Sequence, residues 1–551
     1  MNKLEKHILD CSAALEKSGK TFEEIYSIIF SHGDNVFARY TENGCVRCYT
    51  YSKAEADIEL VAKGIASKGI RNRYVALFGE NCKEWIVLFW GILASGNKPY
   101  LVNLKQPVEF TKRIMDTLVI DTVVCVDSCE SFDVETYTFL ELKTLGERAG
   151  DGYETSFCDE FAISSSGTTL CEKICIYSGK EISAQLQSTK SVLGKSRDIV
   201  GTYKGEIRQL AFLPFYHIFG LVAVYLWYAL WGSTFVFLES VKPKEILTAV
   251  KTHQVTHIFA VPFLWNSLEK SVFAELALES ESAQKRFAKV YKASLWLLSR
   301  CYPLGRAVSK ILFRDLRKKL FGNSVRFCIS GGSFVRQSAL ELMNVLGYTL
   351  CNGYGMTEIG VASVELTKDF SVRIKAGVGQ PFQSVEYKIS NDSRLFVKGD
   401  SVCRKIIVNG RRIEDSEWFD TGDLASRGDD GYFICGRVSD LVVSDNGENL
   451  NPDFAQAAFA LSCAKAFSVL GDEKREHLML VVQVDKDISH TEKLKIFEEI
   501  KTSNSRLPDL YKVRLLSYTY DDIVCVGETK VSRDRLRRDI ANGMVVLHRF
   551  P

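Results

Sequence analysis

KAEADIELVAKGIASKGI (Lys53–Ile70), YVALFG (Tyr74–Gly79), CKEWIVLFWGILASG (Cys82–Gly96) and KPYLVNL (Lys98–Leu104) follow one another with short gaps. The first and third have helical length and helically spaced apolar residues. The second and fourth are short apolar runs bounded by turn residues, as strands are. DTVVCV (Asp121–Val126) adds another strand, and the alternation continues to about residue 400. Helix and strand in turn predict an α/β fold, with a largely parallel sheet covered on both faces. From Arg394 the texture shifts to short strands and turns, in RLFVKG, RKIIVNGRRI and GYFICGR. From near Leu441 a final block, with FSVLGD, LMLVVQV and the helical HTEKLKIFEEIKT, reads as a small α/β unit with a charged tail.

The chain has 551 residues, too many for one simple core, so two or more domains are expected. Its 46% hydrophobic and 25% charged residues are those of an ordinary globular protein, and a net charge of +2 with no long basic tract gives no footing for nucleic acid. The start, MNKLEKHILDCSAALEKSGK, reads as an amphipathic helix without a signal-type apolar core. GLVAVYLWYALWGSTFVFL (Gly220–Leu238) approaches membrane-spanning length, but Gly232 and Ser233 interrupt it. It reads as a buried helix, a turn and a buried strand. Between Ala274 and Phe321 the chain is helical and basic, a solvated surface pair with at most peripheral membrane contact. The 16 cysteines are scattered, which suits reduced thiols and a cytoplasmic location. CVRC (Cys45–Cys48) has a metal-like or redox-like spacing, but no second pair or histidine cluster lies near it in sequence.

Four stretches carry polar chemistry. ISSSGTTLCEK (Ile163–Lys173) lies between two strand-like runs, FAI and ICIY. It is either an ordinary hairpin or a loop whose N–H groups and hydroxyls surround a phosphate. CNGYGMTEIG (Cys351–Gly360) offers glycines for close approach of a flat ligand, a Thr357 hydroxyl and a Glu358 carboxylate. A carboxylate beside phosphate needs a divalent cation between them, and Mg2+ is the default. FDTGDLASRGDDGYFICGRVSD (Phe419–Asp440) sets Asp423 on a tight turn, where a carboxylate suits vicinal ribose hydroxyls. Arg437 adds a rigid fork for phosphate or ribose oxygens. In CVGETKVSRDRLRR (Cys525–Arg538), Lys530 stands between a turn and a charged helix, ordinarily a surface position.

Taken in order, the hydroxyl-rich loop, SGGS (Ser330–Ser333), GYGMTE, TGD, GRVSDLVVSDNGENLNP (Gly436–Pro452) and Lys530 resemble the signatures of the adenylate-forming superfamily. That superfamily includes acyl-CoA synthetases, luciferases and nonribosomal adenylation domains, and the resemblance covers nearly the whole chain. It implies an AMP-binding domain over residues 1–436, with two stacked α/β subdomains and a distorted β-barrel. A hinge at 437–440, with Ser439 at the hinge position, and a small mobile α+β domain over 441–551 would follow. The implied reaction has two halves. A carboxylate attacks the α-phosphate of ATP, giving acyl-adenylate and pyrophosphate; a thiol then attacks the adenylate and releases AMP.

The resemblance also implies residue roles. Lys530 would offset the repulsion between two anions in the transition state. Thr357 would hold the α-phosphate, and Glu358 the Mg2+. Ser165, Ser166, Gly167, Thr168, Thr169 and Lys173 would grip the distal phosphates. Gly331 and Gly332, with Asn352, Gly353, Tyr354 and Gly355, would sandwich the adenine, and Asp423 and Arg437 would hold the ribose. The departures lie in the phosphate loop, where Leu170 and Glu172 replace the family's glycine and proline, and at Thr529, where glycine is usual. Weaker or slower handling of pyrophosphate is expected from them.

LAFLPFYHIFGL (Leu210–Leu221) resembles the segment lining the family's acyl pocket, with Phe215, His217 and Phe219 as lining residues. It lacks the aspartate that pairs an amino acid's ammonium, and an unpaired buried ammonium is costly. NGENLNP and the basic helical insert look most like fatty acyl-CoA synthetases, implying a medium- or long-chain fatty acid as substrate. Gly447 matches a glycine beside the family's thiol tunnel. Coenzyme A is the default acceptor. The phosphopantetheine of an acyl carrier protein is the alternative, and a nucleotide-binding pseudoenzyme is a third reading.

Overall fold

The computed structural model describes residues 2–150, 156–165, 173–194, 197–367, 369–413, 416–443, 449–473, 475–524 and 531–550. The chain forms two compact units. Among the described residues, the first comprises those up to Glu386 and Lys398–Glu417; the second holds Tyr387–Val397 and those from Trp418 onward.

Two eight-stranded sheets build the first unit, both parallel through their centres; one has antiparallel pairs at both edges, the other at one edge only, its strand Glu135–Thr138 pairing parallel. In one, Tyr74–Phe78 lies between Lys98–Leu101 and Thr122–Cys125, all parallel. The helix Lys83–Ala94 makes the crossover from Tyr74–Phe78 to Lys98–Leu101, as the alternating sequence predicts. In the other, Arg208–Leu210, His257–Ala260, Phe327–Ser330 and the first half of Thr349–Met356 run parallel, and the second half of Thr349–Met356 pairs antiparallel with Gly360–Val364.

The helix Lys83–Ala94 is buried from Trp85 to Ala94, so it has no solvent face. Phe89 meets Phe161 on a strand of one sheet, while Trp85 meets Phe215 beyond the strand Arg208–Leu210 of the other. Its Trp90 Nε1–H donates to Tyr225 Oη at 2.6 Å. The apolar sequence WIVLFWGILA is therefore the shared layer between two sheets, each buried aromatic contributing about 2–3 kcal/mol of burial.

Gly220–Leu238 forms the buried helix, turn and strand expected of it. A π-helical turn, Phe219–Leu226, runs into Trp227–Ala229, and the strand Thr234–Val236 follows. No helix among the described residues is long and apolar enough to cross a membrane. The basic stretch forms the helices Glu281–Arg300, Tyr302–Leu312 and Arg314–Lys319, which bury Leu298, Tyr302 and Phe313 against the helix Gln337–Val345. Cys45 and Cys48 lie on the strand Cys45–Thr50 at the edge of a sheet. Positions three apart in a strand face opposite sides, so the two thiols point apart.

The second unit contains the sheet strands Phe419–Arg427 and Tyr432–Arg437, paired antiparallel. It also contains a four-stranded sheet of Ala466–Gly471, Leu478–Gln483, Leu515–Thr519 and His548–Arg549. The helices His490–Ser505 and Arg533–Ala541 complete it, with Ile496 and Ile500 of the first buried against Leu480 and Val482. Asp423 and Arg437 pair at one end of the ladder between the strands Phe419–Arg427 and Tyr432–Arg437.

Two histidines, one buried and one half-buried, set an acid limit. His257 lies in a central strand, fully buried, with Nδ1 2.8 Å from Thr256 Oγ1. Burial, aided by the Arg326 cation, pushes its imidazole down to about 3; burial and Lys105 push His217 down to about 4. Unfolded histidines titrate near 6.5. Between these values the unfolded chain binds more protons, so stability present above pH 6.5 is lost as pH falls. Thermal melts from pH 7 to pH 4 should show a falling midpoint, and His257→Gln should make the fall shallower. Equal slopes for the two proteins would contradict this account.

Candidate nucleotide site

The hydroxyl-rich stretch is flanked by two paired strands. Glu160–Ser164 and Lys173–Ser178 pair antiparallel, Ser164 facing Ile174, and the Ser165 N–H donates to the Lys173 carbonyl at 2.9 Å. Ser166, Gly167, Thr168, Thr169, Leu170 and Glu172 lie outside the described residues, as do Gly447, Thr529 and Lys530. The paired strands fix where the stretch begins and ends, and Lys173 stands at its exit.

The Lys173 ammonium is ion-paired with the Glu358 carboxylate. The Glu358 side chain is 5% exposed and that of Lys173 27%. Two backbone anchors hold this contact. Tyr177, on the Lys173 strand, donates its hydroxyl to the Thr357 carbonyl at 2.7 Å, and the Cys403 N–H donates to the Glu358 carbonyl at 2.8 Å. The turn after Glu358 is held by Gln185, whose Oε1 accepts the Val361 N–H at 3.2 Å. Gly360 is required there: its φ is +69°, and a Cβ would lie 2.2 Å from the Gln185 amide. Tyr177, Gln185 and Gly360 were not singled out from sequence. Gly360 alone left a trace, as a glycine two residues after a motif carboxylate.

A buried carboxylate bound to an ammonium is stable only while paired. Glu358 already accepts a cation, the Lys173 ammonium, through a hard carboxylate oxygen, which is the donor chemistry Mg2+ uses. These residues therefore fit the expected metal, with the Lys173 ammonium standing where a second cation would compete.

Beside this turn a cavity of about 40 Å³ is lined by Gly331 and Gly332 at one side, Gly353, Tyr354 and Gly355 at the other, and Phe219 and Trp227. It lies at the carboxyl ends of two parallel neighbours, Phe327–Ser330 and Thr349–Asn352. Open α/β sheets bind ligands at that end of their strands. Five residues expected around adenine thus share one slot. Asn352 is not among the residues lining it; its Nδ2 donates to the Ala376 carbonyl at 2.9 Å and to the Gly377 carbonyl at 3.3 Å. Of the three acyl-pocket residues, Phe219 alone lines this cavity. Phe215 packs among Trp85, Tyr225 and Phe237, and His217 lies against Tyr216. A Cβ on Gly331 would come 3.1 Å from the Phe219 ring. Gly331→Val should therefore raise the KM for ATP about tenfold, ~1.4 kcal/mol of binding, with little change in melting temperature. An unchanged KM would remove this slot from nucleotide binding.

In the second unit, Asp423 and Arg437 are directly opposed across the two strands, with Arg437 Nε 3.0 Å from Asp423 Oδ1. The Asp423 side chain is buried and that of Arg437 half-exposed. The sequence places Asp423 on a tight turn, but it lies within the strand Phe419–Arg427, where its N–H donates to Thr421 Oγ1 at 3.1 Å. The pair presents one fixed carboxylate and one fork. Ser439 is exposed in the short 3-10 turn Val438–Asp440 that follows.

The profile of the family described as AMP-binding enzyme matches residues 32–404. The chain belongs to that family. It is 22% identical to the probable acyl-activating enzyme 16, chloroplastic, of Arabidopsis thaliana, over 94% of this chain and 84% of the relative. It is 20% identical to the chloroplastic long-chain-fatty-acid–acyl-carrier-protein ligase of the same plant, over 90% of this chain and 79% of that one. The o-succinylbenzoate CoA synthetase of Bacillus subtilis, solved with its acyl-adenylate intermediate, has the same fold, with a TM-score of 0.69. There the identity is 20%, over 92% of this chain and 97% of that structure. For this AMP-binding enzyme the superfamily resemblance and the α/β fold both hold.

Proposed function

We propose that this AMP-binding enzyme is an AMP-forming acid–thiol ligase that activates a medium- or long-chain aliphatic acid and passes it to coenzyme A. The observation that carries the proposal is the buried Glu358 carboxylate held against Lys173 at the exit of the hydroxyl-rich stretch. That contact joins the two motifs a triphosphate needs, one for its distal phosphates and one for the cation that accompanies them.

In this reading Glu358 would hold Mg2+, which would supply neutralisation of phosphate charge. The Lys173 ammonium serves the distal phosphates, and the Thr357 hydroxyl donates to the α-phosphate. Lys530 places positive charge where the carboxylate oxygen meets the α-phosphorus. Asp423 accepts from the ribose hydroxyls, with Arg437 fixing its carboxylate. The thiol attacks the acyl carbon, the C–O bond to AMP breaks, and the thiol proton passes to solvent. Residues 437–440 serve as the hinge between half-reactions, with Ser439 at its centre, and Gly447 leaves room for the thiol.

An aliphatic acid is supported by the segment Leu210–Leu221, which carries no carboxylate to pair an amino acid's ammonium. A carrier-protein acceptor is the second reading, supported by the Arabidopsis ligase of that type. Free cysteines throughout the described residues suit a reducing cytoplasm. Pyrophosphate release should be measured with short, medium and long aliphatic, aromatic and amino acids, each with coenzyme A, with carrier protein and with neither. Release that depends on an aliphatic acid is expected, with fastest turnover on coenzyme A. ATP binding without release for any acid would point instead to a pseudoenzyme, with Leu170 and Glu172 as its marks.

A further inference from the structure

Away from the nucleotide site, His7, Cys11 and His32 bring three metal-ligating atoms within 4.8 Å of one another. His7 and Cys11 are four residues apart on the helix Lys3–Lys17, so they share one face. An Asn2–Glu5 capping box starts that helix, and Ile8 and Leu15 bury its inner side. His32 comes just past the helix Phe22–Phe30, which has its own capping box at Thr21 and Glu24.

Three details fit a metal centre better than simple packing. The Cys11 Sγ lies 3.6 Å from His7 Nε2. With Zn–S of about 2.3 Å and Zn–N of about 2.0–2.1 Å, a tetrahedral angle places S and N about 3.6 Å apart. The His32 Nε2–H donates to the Leu230 carbonyl at 3.1 Å. That bond fixes the tautomer and leaves Nδ1 with its lone pair, as a carbonyl-bound histidine ligand has. The His32 ring is also held in orientation. It lies against Gly232, where φ is +66° and a Cβ would be 2.7 Å from the ring.

We propose that His7, Cys11 and His32 form a binding site for a Zn2+-type transition-metal ion, with solvent completing a tetrahedral set. Nitrogen and thiolate donors select such an ion over Mg2+, so the site is separate from the ATP-linked metal. On binding, Cys11 loses its thiol proton to solvent and a metal–sulfur bond replaces the S–H bond. The ion clips the N-terminal helix to the turn after the second helix and, through His32, to the Leu230–Gly232 turn.

The test is Co2+ titration of the full chain after chelator treatment and desalting. One Co2+ per chain is expected, with a thiolate-to-Co2+ charge-transfer band in the near ultraviolet that Zn2+ abolishes by displacement. Cys11→Ser should remove the band, and His32→Gln should weaken binding about 100-fold, at least the effect of losing a ligand's supporting bond. The Cys45→Ser/Cys48→Ser double variant should keep the band. Circular dichroism matching the metal-free parent establishes that Cys11→Ser is folded. Should it not fold, His7→Gln, at a half-exposed position, carries the same test. A parent protein with no band, or a band that survives Cys11→Ser, overturns the site.

Discussion

Glu358→Gln should lower acid-dependent pyrophosphate release about 10²–10³-fold, the usual loss when one preorganised electrostatic group is removed from a reacting centre. Glutamine keeps the volume and one acceptor oxygen but removes the charge. The Lys173 ammonium would lose its anion, yet its side chain is 27% exposed and can turn to water, so the fold should survive. The backbone anchors from Tyr177 and Cys403 act on the carbonyls of Thr357 and Glu358 and are unaffected. Release should be measured at saturating ATP across a Mg2+ series, with melting temperature as the control for folding. The variant should remain slow at high Mg2+. Activity within threefold of the parent would make Glu358 a structural partner of Lys173 and nothing more.

Arg533→Met should destabilise the second unit by about 3–5 kcal/mol, the cost of breaking a buried ion pair from one side. The Arg533 side chain is 5% exposed. Its Nη1 donates to Asp440 Oδ2 at 2.9 Å, its Nη2 to Asp453 Oδ1 at 2.5 Å and Gln456 Oε1 at 2.9 Å, and its Nε to the Val469 carbonyl at 2.7 Å. One guanidinium thus ties the helices Pro452–Ala457 and Arg533–Ala541 to the strand Ala466–Gly471 and to the turn at Asp440. Methionine fills the volume but strands two carboxylates. Arg533→Lys keeps the charge without the fork, so it should fall between the two. Hydrogen exchange in the strands Ala466–Gly471 and Leu478–Gln483 reads the effect. Exchange as slow as in the parent would show that the acidic partners find other compensation.

The alternating pattern was legible because its periods differ: helices and strands space their apolar residues by 3.6 and 2. The antiparallel edges were not, since an edge strand's direction depends on its neighbours. The helix Lys83–Ala94 was recognised as a helix, but its burial on both sides follows from a second sheet arriving more than a hundred residues later. The phosphate and carboxylate motifs were legible one by one. Their contact was not: Lys173 and Glu358 are brought together by strands of different sheets, and no local pattern encodes that. Phe215 and Phe219 illustrate the same limit. They lie four residues apart in one motif, yet the chain turns between them, and one ring enters the aromatic core while the other faces the cavity. The metal-like spacing at Cys45–Cys48 drew attention that strand geometry does not support. His7, Cys11 and His32 converge only once two capped helices pack.

The central claim is that a carboxylate oxygen attacks the α-phosphorus of ATP. It is tested most directly by supplying an accepted aliphatic acid labelled with 18O in both carboxylate oxygens, together with ATP, Mg2+ and coenzyme A. When the thiol cleaves the acyl-adenylate at carbon, the bridging oxygen stays with phosphorus. The account predicts AMP carrying one 18O per turnover, with unlabelled pyrophosphate, and loss of product in Lys530→Ala by about 10²–10³-fold. Unlabelled AMP, or ADP with label in the released phosphate, would contradict it.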